Sequence, residues 1–101
     1  MPAEVEGVLS EREDVEQAHV VAVPDERMGE VGCAFVVPAA GAAPSAENLI
    51  AWCREQLSRY KVPAHVLFCT AADLPLTASG KVQKFVLAER AAAELGLGAA
   101  A

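Results

Sequence analysis

Aromatic, histidine and basic residues are scarce in this sequence, and each shortage removes a class of function. Phe35, Trp52, Tyr60, Phe68 and Phe85 are the only aromatics, so the core must be built mainly from aliphatic and alanine side chains. Its stability is expected to be modest. Eight lysines and arginines stand against 14 aspartates and glutamates, a net charge of −6, which argues against a surface that tracks a nucleic-acid backbone. Cys33, Cys53 and Cys69 are dispersed with no Cys-x-x-Cys pair, which removes the usual zinc and dithiol arrangements. Reduced, mostly buried thiols in a cytoplasmic setting are expected. His19 and His65 have no cysteine or acidic partner at motif spacing and read as structural. No apolar run approaches the roughly 18 residues of a spanning helix, and no basic leader precedes one, so no membrane anchor is expected. Ser10, Ser58 and Ser79 lack a nucleophile elbow. Hydrolysis has no visible machinery.

What is present is enough for one folded domain. The 101 residues are 53% hydrophobic and 22% charged, outside the range of disordered chains. Pro2 and the acids after it, with Val5, Val8 and Leu9 on one face, predict a short helix ending by Glu13. Valine-rich runs at 15–23 and 31–37 predict two strands that pair across a turn at Asp25 to Glu30. The acids Asp25, Glu26 and Glu30 do not match a calcium loop and read as a charged turn. After a small-residue loop, Pro44 or Ser45 opens a helix without a full capping box, since Asn48 stands three after Ser45. Leu49, Trp52, Cys53, Leu57 and Tyr60 form its expected inward stripe, with Glu47, Arg54, Glu55 and Arg59 outward. Residues 64–69 read as a third strand and 83–97 as a last helix, with Leu87, Ala91 and Leu95 inward and fraying ends. The expectation is an α+β domain: a small sheet of about three or more strands covered by helices.

The stretch TASGKVQK, Thr77 to Lys84, holds the candidate chemistry. Gly80 permits a backbone conformation closed to other residues, and the Ser79 hydroxyl and loop amides can help bind an anion. Lys81 then supplies a compact, mobile cation suited to phosphate or developing oxyanion charge. Such a charge is worth about 4 kcal/mol at 4 Å when enclosed, and about 1 in bulk water. Enclosure therefore decides its value. Taken alone, the loop fits a solvated turn lysine as well as a ligand contact. It is not a Walker A loop, because Leu76 stands four before Gly80 and Val82 follows the lysine. Lys84 shares a face with Lys81 if the helix has already begun, or is simply solvated.

Taken together, PAEVEGVL at 2–9, VVAVPDERMGE at 20–30, AFVV at 34–37, LSRYKVP at 57–63 and LPLTASGKVQK at 74–84 resemble the C-terminal domain of adenylate-forming enzymes. These are the acyl- and aryl-CoA synthetases, adenylation domains and luciferases. The resemblance implies that residues 1–101 are a lid domain whose large N-terminal domain, carrying the acyl pocket and the phosphate loop, is absent. It implies ATP and coenzyme A as co-substrates, Mg2+ in the complete enzyme, and a carboxylic acid as substrate. By the resemblance Lys81 is the adenylation lysine, Ser79 and Gly80 shape its nucleotide-binding loop, and residues 60–63 anchor the lid. Asp25, Gly29 and Glu30 would be a structural turn near the coenzyme A arrangement. Lysine at 84, where the family often has arginine, would alter an interdomain ion pair. The implied function is the lid of a fatty-acid-type acyl-CoA ligase, inactive alone. The alternative is a non-catalytic module that docks on an adenylating domain.

Overall fold

The computed structural model describes residues 2–97. Helix α1 (Pro2–Ser10) is followed by strands β1 (Val15–Asp25) and β2 (Gly29–Pro38), helix α2 (Ala46–Gln56), strand β3 (His65–Phe68) and helix α3 (Lys84–Glu94). The strands form a sheet in the order β1-β2-β3, with β1 and β2 antiparallel and β3 parallel to β2. The parallel pair requires a crossover, and α2 lies within it.

Alternation along the strands gives the sheet two apolar faces. Ala18, Val20, Ala34, Val36 and Val66 meet Val5 and Leu9 of α1 and Leu49 and Cys53 of α2. On the other face Val21, Val23, Cys33, Phe35 and Val37 meet Leu87 and Ala91 of α3, together with Leu74. The sheet is thus covered on both sides, as the α+β expectation requires. An irregularity between Val15 and Gln17 inserts an extra residue into β1. It turns Val15 onto the same face as Ala18 and Val20.

Several boundaries differ from the expectation. β1 continues through Pro24, because β1 is an edge strand and proline costs no ladder hydrogen bond on an open edge. At the turn, Asp25 Oδ2 accepts from the amides of Arg27 (3.1 Å) and Met28 (2.8 Å), and Gly29 takes φ +83°. Asp25 thus shapes a hairpin turn. Ser45 caps α2 by accepting from the Asn48 amide at 3.0 Å. Tyr60 is not part of the inward stripe: α2 ends at Gln56, the chain passes into a 3-10 turn, and Tyr60 stands 82% exposed. Trp52 is half-buried, and its indole N–H donates to the Val8 carbonyl at 2.9 Å, joining α2 to α1. Residues 98–101, where the last helix was expected to fray, lie outside the described residues.

The cysteines are free, with Cys33 and Cys53 buried and Cys69 half-buried. Burial pushes the Cys33 thiol up to about 11, so it stays protonated at neutral pH. Burial likewise lowers His19, which is hydrogen-bonded to Gln17 at 3.0 Å. Among the described residues no helix is long and apolar enough to cross a membrane.

Candidate functional site

The segment between β3 and α3 is built as a small hairpin. Leu76 and Val82 pair as an antiparallel bridge, the Thr77 amide donates to the Lys81 carbonyl (2.8 Å), and the Gln83 amide donates to the Pro75 carbonyl (2.8 Å). Within the tip, the Gly80 amide donates to the Thr77 carbonyl at 2.9 Å. Gly80 has φ +89°, the left-handed conformation that this turn demands.

The base of this hairpin is anchored on both sides. Leu74 is buried against the sheet, and the Arg90 guanidinium of α3 donates to the Asp73 carbonyl. On the exit side α3 begins at Lys84 and is held down by Leu87 and Ala91. Lys81 therefore stands at a fixed place on the domain although its own side chain is exposed.

Thr77 is the residue that sequence reasoning missed. Its Oγ1 accepts from the Lys81 amide (3.1 Å) and pairs with Ser79 Oγ (3.1 Å). A threonine four before the key residue, at the start of a Ser-Gly turn, is a hydroxyl-turn signal that was available in TASGK. The Ser79 hydroxyl, expected to help bind an anion, is exposed and lies 3.1 Å from Thr77 Oγ1. Gly80 sits as expected. A Cβ there would meet nothing within 4 Å, so Gly80→Ala carries only the backbone penalty, about 1–2 kcal/mol. Thermal unfolding of that variant should show this modest loss, and a near-wild-type midpoint would contradict the left-handed assignment.

The other cations sort into two groups. Arg12 pairs with Asp14 (2.9 Å), Lys61 with Glu4 (2.8 Å) and Lys84 with Glu6. Lys84 is thus not simply solvated, because Glu6 of α1 holds it. The hydrogen bond from Lys61 holds Glu4 below its usual range and raises Lys61 in turn, which ties the 60–63 segment to α1. Lys81, Arg27, Arg54, Arg59 and Arg90 make no ion pair among the described residues, Arg90 being bonded instead to the Asp73 carbonyl. Three of these, Arg27, Arg54 and Arg59, line one open concavity of about 650 Å³ with Leu57, Val62, Pro63 and Ala64. This concentration of positive charge comes from three separated segments. It was not expected.

Lys81 is exposed, so the hairpin presents a cation without enclosing its target. Leu76 and Phe85, on either side of it in the chain, are 52% and 66% exposed. Among the described residues no three His, Cys, Asp or Glu side chains gather as a metal cage. The arrangement can meet an anion, but a pocket must come from elsewhere.

Residues 4–81 match the sequence profile of the AMP-binding enzyme C-terminal domain. A 3-[(3aS,4S,7aS)-7a-methyl-1,5-dioxo-octahydro-1H-inden-4-yl]propanoyl:CoA ligase of Rhodococcus jostii is 47% identical over 87% of this chain and 17% of its own length. The mitochondrial medium-chain acyl-CoA ligase ACSF2 of Danio rerio is 43% identical over 95% of the chain and 16% of its own length. Among solved structures, the amide bond synthetase McbA of Marinactinospora thermotolerans superposes with a TM-score of 0.82 at 42% identity, covering 88% of this chain and 18% of that one. A fatty acyl CoA synthetase of Mycobacterium tuberculosis gives 0.81 at 35% identity, covering 92% and 18%. The chain spans about a sixth of the length of the curated relatives it matches.

Proposed function

This chain belongs to the AMP-binding enzyme C-terminal domain family, and from that premise we propose that it is the lid of an ATP-dependent acyl-CoA ligase. Its partner is a large N-terminal adenylating domain, in cis or in trans. The observation that carries this reading is Lys81: a cation without an ion-pair partner among the described residues, on an anchored hairpin, flanked by exposed Leu76 and Phe85.

In the first half-reaction a carboxylate oxygen attacks the α-phosphorus of ATP, the bond to pyrophosphate breaks, and an acyl-adenylate forms. Two anions must approach each other. The Lys81 ammonium, brought between them when the lid closes, offsets their repulsion and the charge building on the transferring phosphoryl group. Closure also removes water, and the same charge is worth several-fold more in the enclosed site than in solvent. Thr77, Ser79 and Gly80 keep the loop in shape. Magnesium would shield the ATP phosphates in the complete enzyme.

In the second half-reaction the thiol sulfur of coenzyme A attacks the acyl carbon and AMP leaves. Coenzyme A is a polyanion, and the concavity of Arg27, Arg54 and Arg59 is the chemically fitting place on this domain for its phosphates. We expect Arg54→Ala and Arg59→Ala each to raise the KM for coenzyme A about tenfold, with acid-dependent pyrophosphate release unchanged. Equal KM values would remove this surface from the thiol-transfer step.

The test of the whole reading is product formation, followed by mass spectrometry over a panel of carboxylic acids. The chain alone, the N-terminal domain alone, and the two joined are compared. Acyl-CoA should accumulate only in the joined protein. A folded joined protein that makes neither acyl-CoA nor pyrophosphate from any acid would favour the non-catalytic docking module.

A further inference from the structure

Glu6 is bound by two other elements at once. Its Oε2 accepts from the Val20 amide at 2.8 Å on the open edge of β1, and from the Lys84 ammonium at the first residue of α3. These partners lie 14 and 78 residues away in the chain. The carboxylate therefore joins α1, the sheet edge and the start of α3 at one point.

That point is where the lysine hairpin ends. Val82 pairs with Leu76, the Gln83 amide reaches the Pro75 carbonyl, and Lys84 follows immediately. The entrance side of the hairpin is held separately by Arg90 on the Asp73 carbonyl. Glu6 is thus the polar anchor of the exit side, which it holds at Lys84, three residues after Lys81. The pair is only partly buried, with side-chain exposures of 42% for Lys84 and 23% for Glu6, and partly exposed pairs contribute little to stability. A stability role alone gives weak reason for a carboxylate to bridge three elements here.

We propose that Glu6 is a positioning residue for the adenylation step: by clamping Lys84 it fixes where the hairpin leaves the sheet, and so the aim of Lys81. The inference rests on the lid reading of Lys81. Misplacement of a reacting group by about 1 Å can cost up to about 10²-fold in rate, so a loosened anchor should be visible kinetically.

The test uses the chain joined to its N-terminal domain. Glu6→Gln keeps an oxygen for the Val20 amide and loses the ionic attraction, while Lys84→Met keeps the aliphatic stem. Both should lower the kcat of acid-dependent ATP–pyrophosphate exchange about tenfold, with the melting temperature shifted by no more than about 3 °C. Thioester formation from supplied acyl-adenylate should be unchanged, because that step does not use Lys81. Lys84→Arg, which still pairs with a carboxylate, should restore exchange. Unchanged exchange in both variants, parallel loss of both half-reactions, or a Lys84→Arg as slow as Lys84→Met would each overturn the proposal. Lys81→Ala in the same assay separates the two levels. If it loses exchange while Glu6→Gln and Lys84→Met keep it, only the role of Glu6 falls; if Lys81→Ala itself keeps exchange, the lid reading falls with it.

Discussion

Lys81→Ala in the joined enzyme is expected to lower acid-dependent pyrophosphate release by roughly 10²- to 10³-fold, the usual consequence of removing one preorganised charge contact to a transition state. The loss should fall mainly on kcat, since the contact strengthens as phosphoryl charge builds. Thioester formation from supplied acyl-adenylate should survive. Lys81→Arg should recover only part of the rate, because a planar guanidinium cannot place its charge where a compact ammonium stood. The fold should not notice these changes: Lys81 is exposed, makes no ion pair among the described residues, and contributes its backbone rather than its side chain to the hairpin. Parallel thermal unfolding curves for Lys81→Ala and wild type check this.

The second large effect is on stability. Leu87 is 1% exposed and packs with Val21, Val23, Cys33, Phe35, Val37, Leu74 and Ala91 on the face of the sheet that α3 covers. Truncation to alanine leaves a cavity among neighbours that cannot all collapse, at a cost of about 2–5 kcal/mol. Helix α3 has only 11 residues, too few to persist without packing, so it loosens as a unit. At this chain length each kcal/mol moves the melting temperature by about 4–8 °C, so a fall of about 8–40 °C is expected. Calorimetry of the chain alone measures it. Phe85→Ala is the control: at 66% exposure its removal should leave the melting temperature nearly unchanged. A Leu87→Ala variant as stable as that control would contradict the packing of α3 on the sheet.

Much of the fold could be read from the sequence because its strands and helices obey different periods. The valine runs gave β1 and β2 as paired strands, and the stripe Leu49, Cys53 gave the buried face of α2. The misreading of Tyr60 has a simple cause. A spacing of three after Leu57 continues the helical pattern on paper, but the helix has already ended and the 3-10 turn rotates Tyr60 to solvent. Proline at 24 looked like a stop because the sequence cannot say which strand is at an edge.

The candidate site divides in the same way. Lys81 and Gly80 were legible as candidates because they are contiguous and because the five matching stretches, taken together, are specific. The anchor at Glu6 was not, since its partner lies 78 residues away and no helical spacing connects them. The arginine concavity was equally hidden: Arg27 comes from the hairpin turn, Arg54 from α2 and Arg59 from the 3-10 turn, and only the packed fold brings them together. Thr77 was visible as a residue, but its role appears only when its hydroxyl is seen to take the Lys81 amide. Local signals gave the charge; long-range packing gave its support.

The measurement that tests the central claim most directly is single-turnover pyrophosphate release by the N-terminal domain, with carboxylic acid and ATP present, as this chain is titrated in. The lid reading predicts saturable acceleration by the wild-type chain, and saturation at the same concentration with little acceleration by Lys81→Ala. Equal acceleration by the two chains would contradict it, because the domain would then act by docking alone.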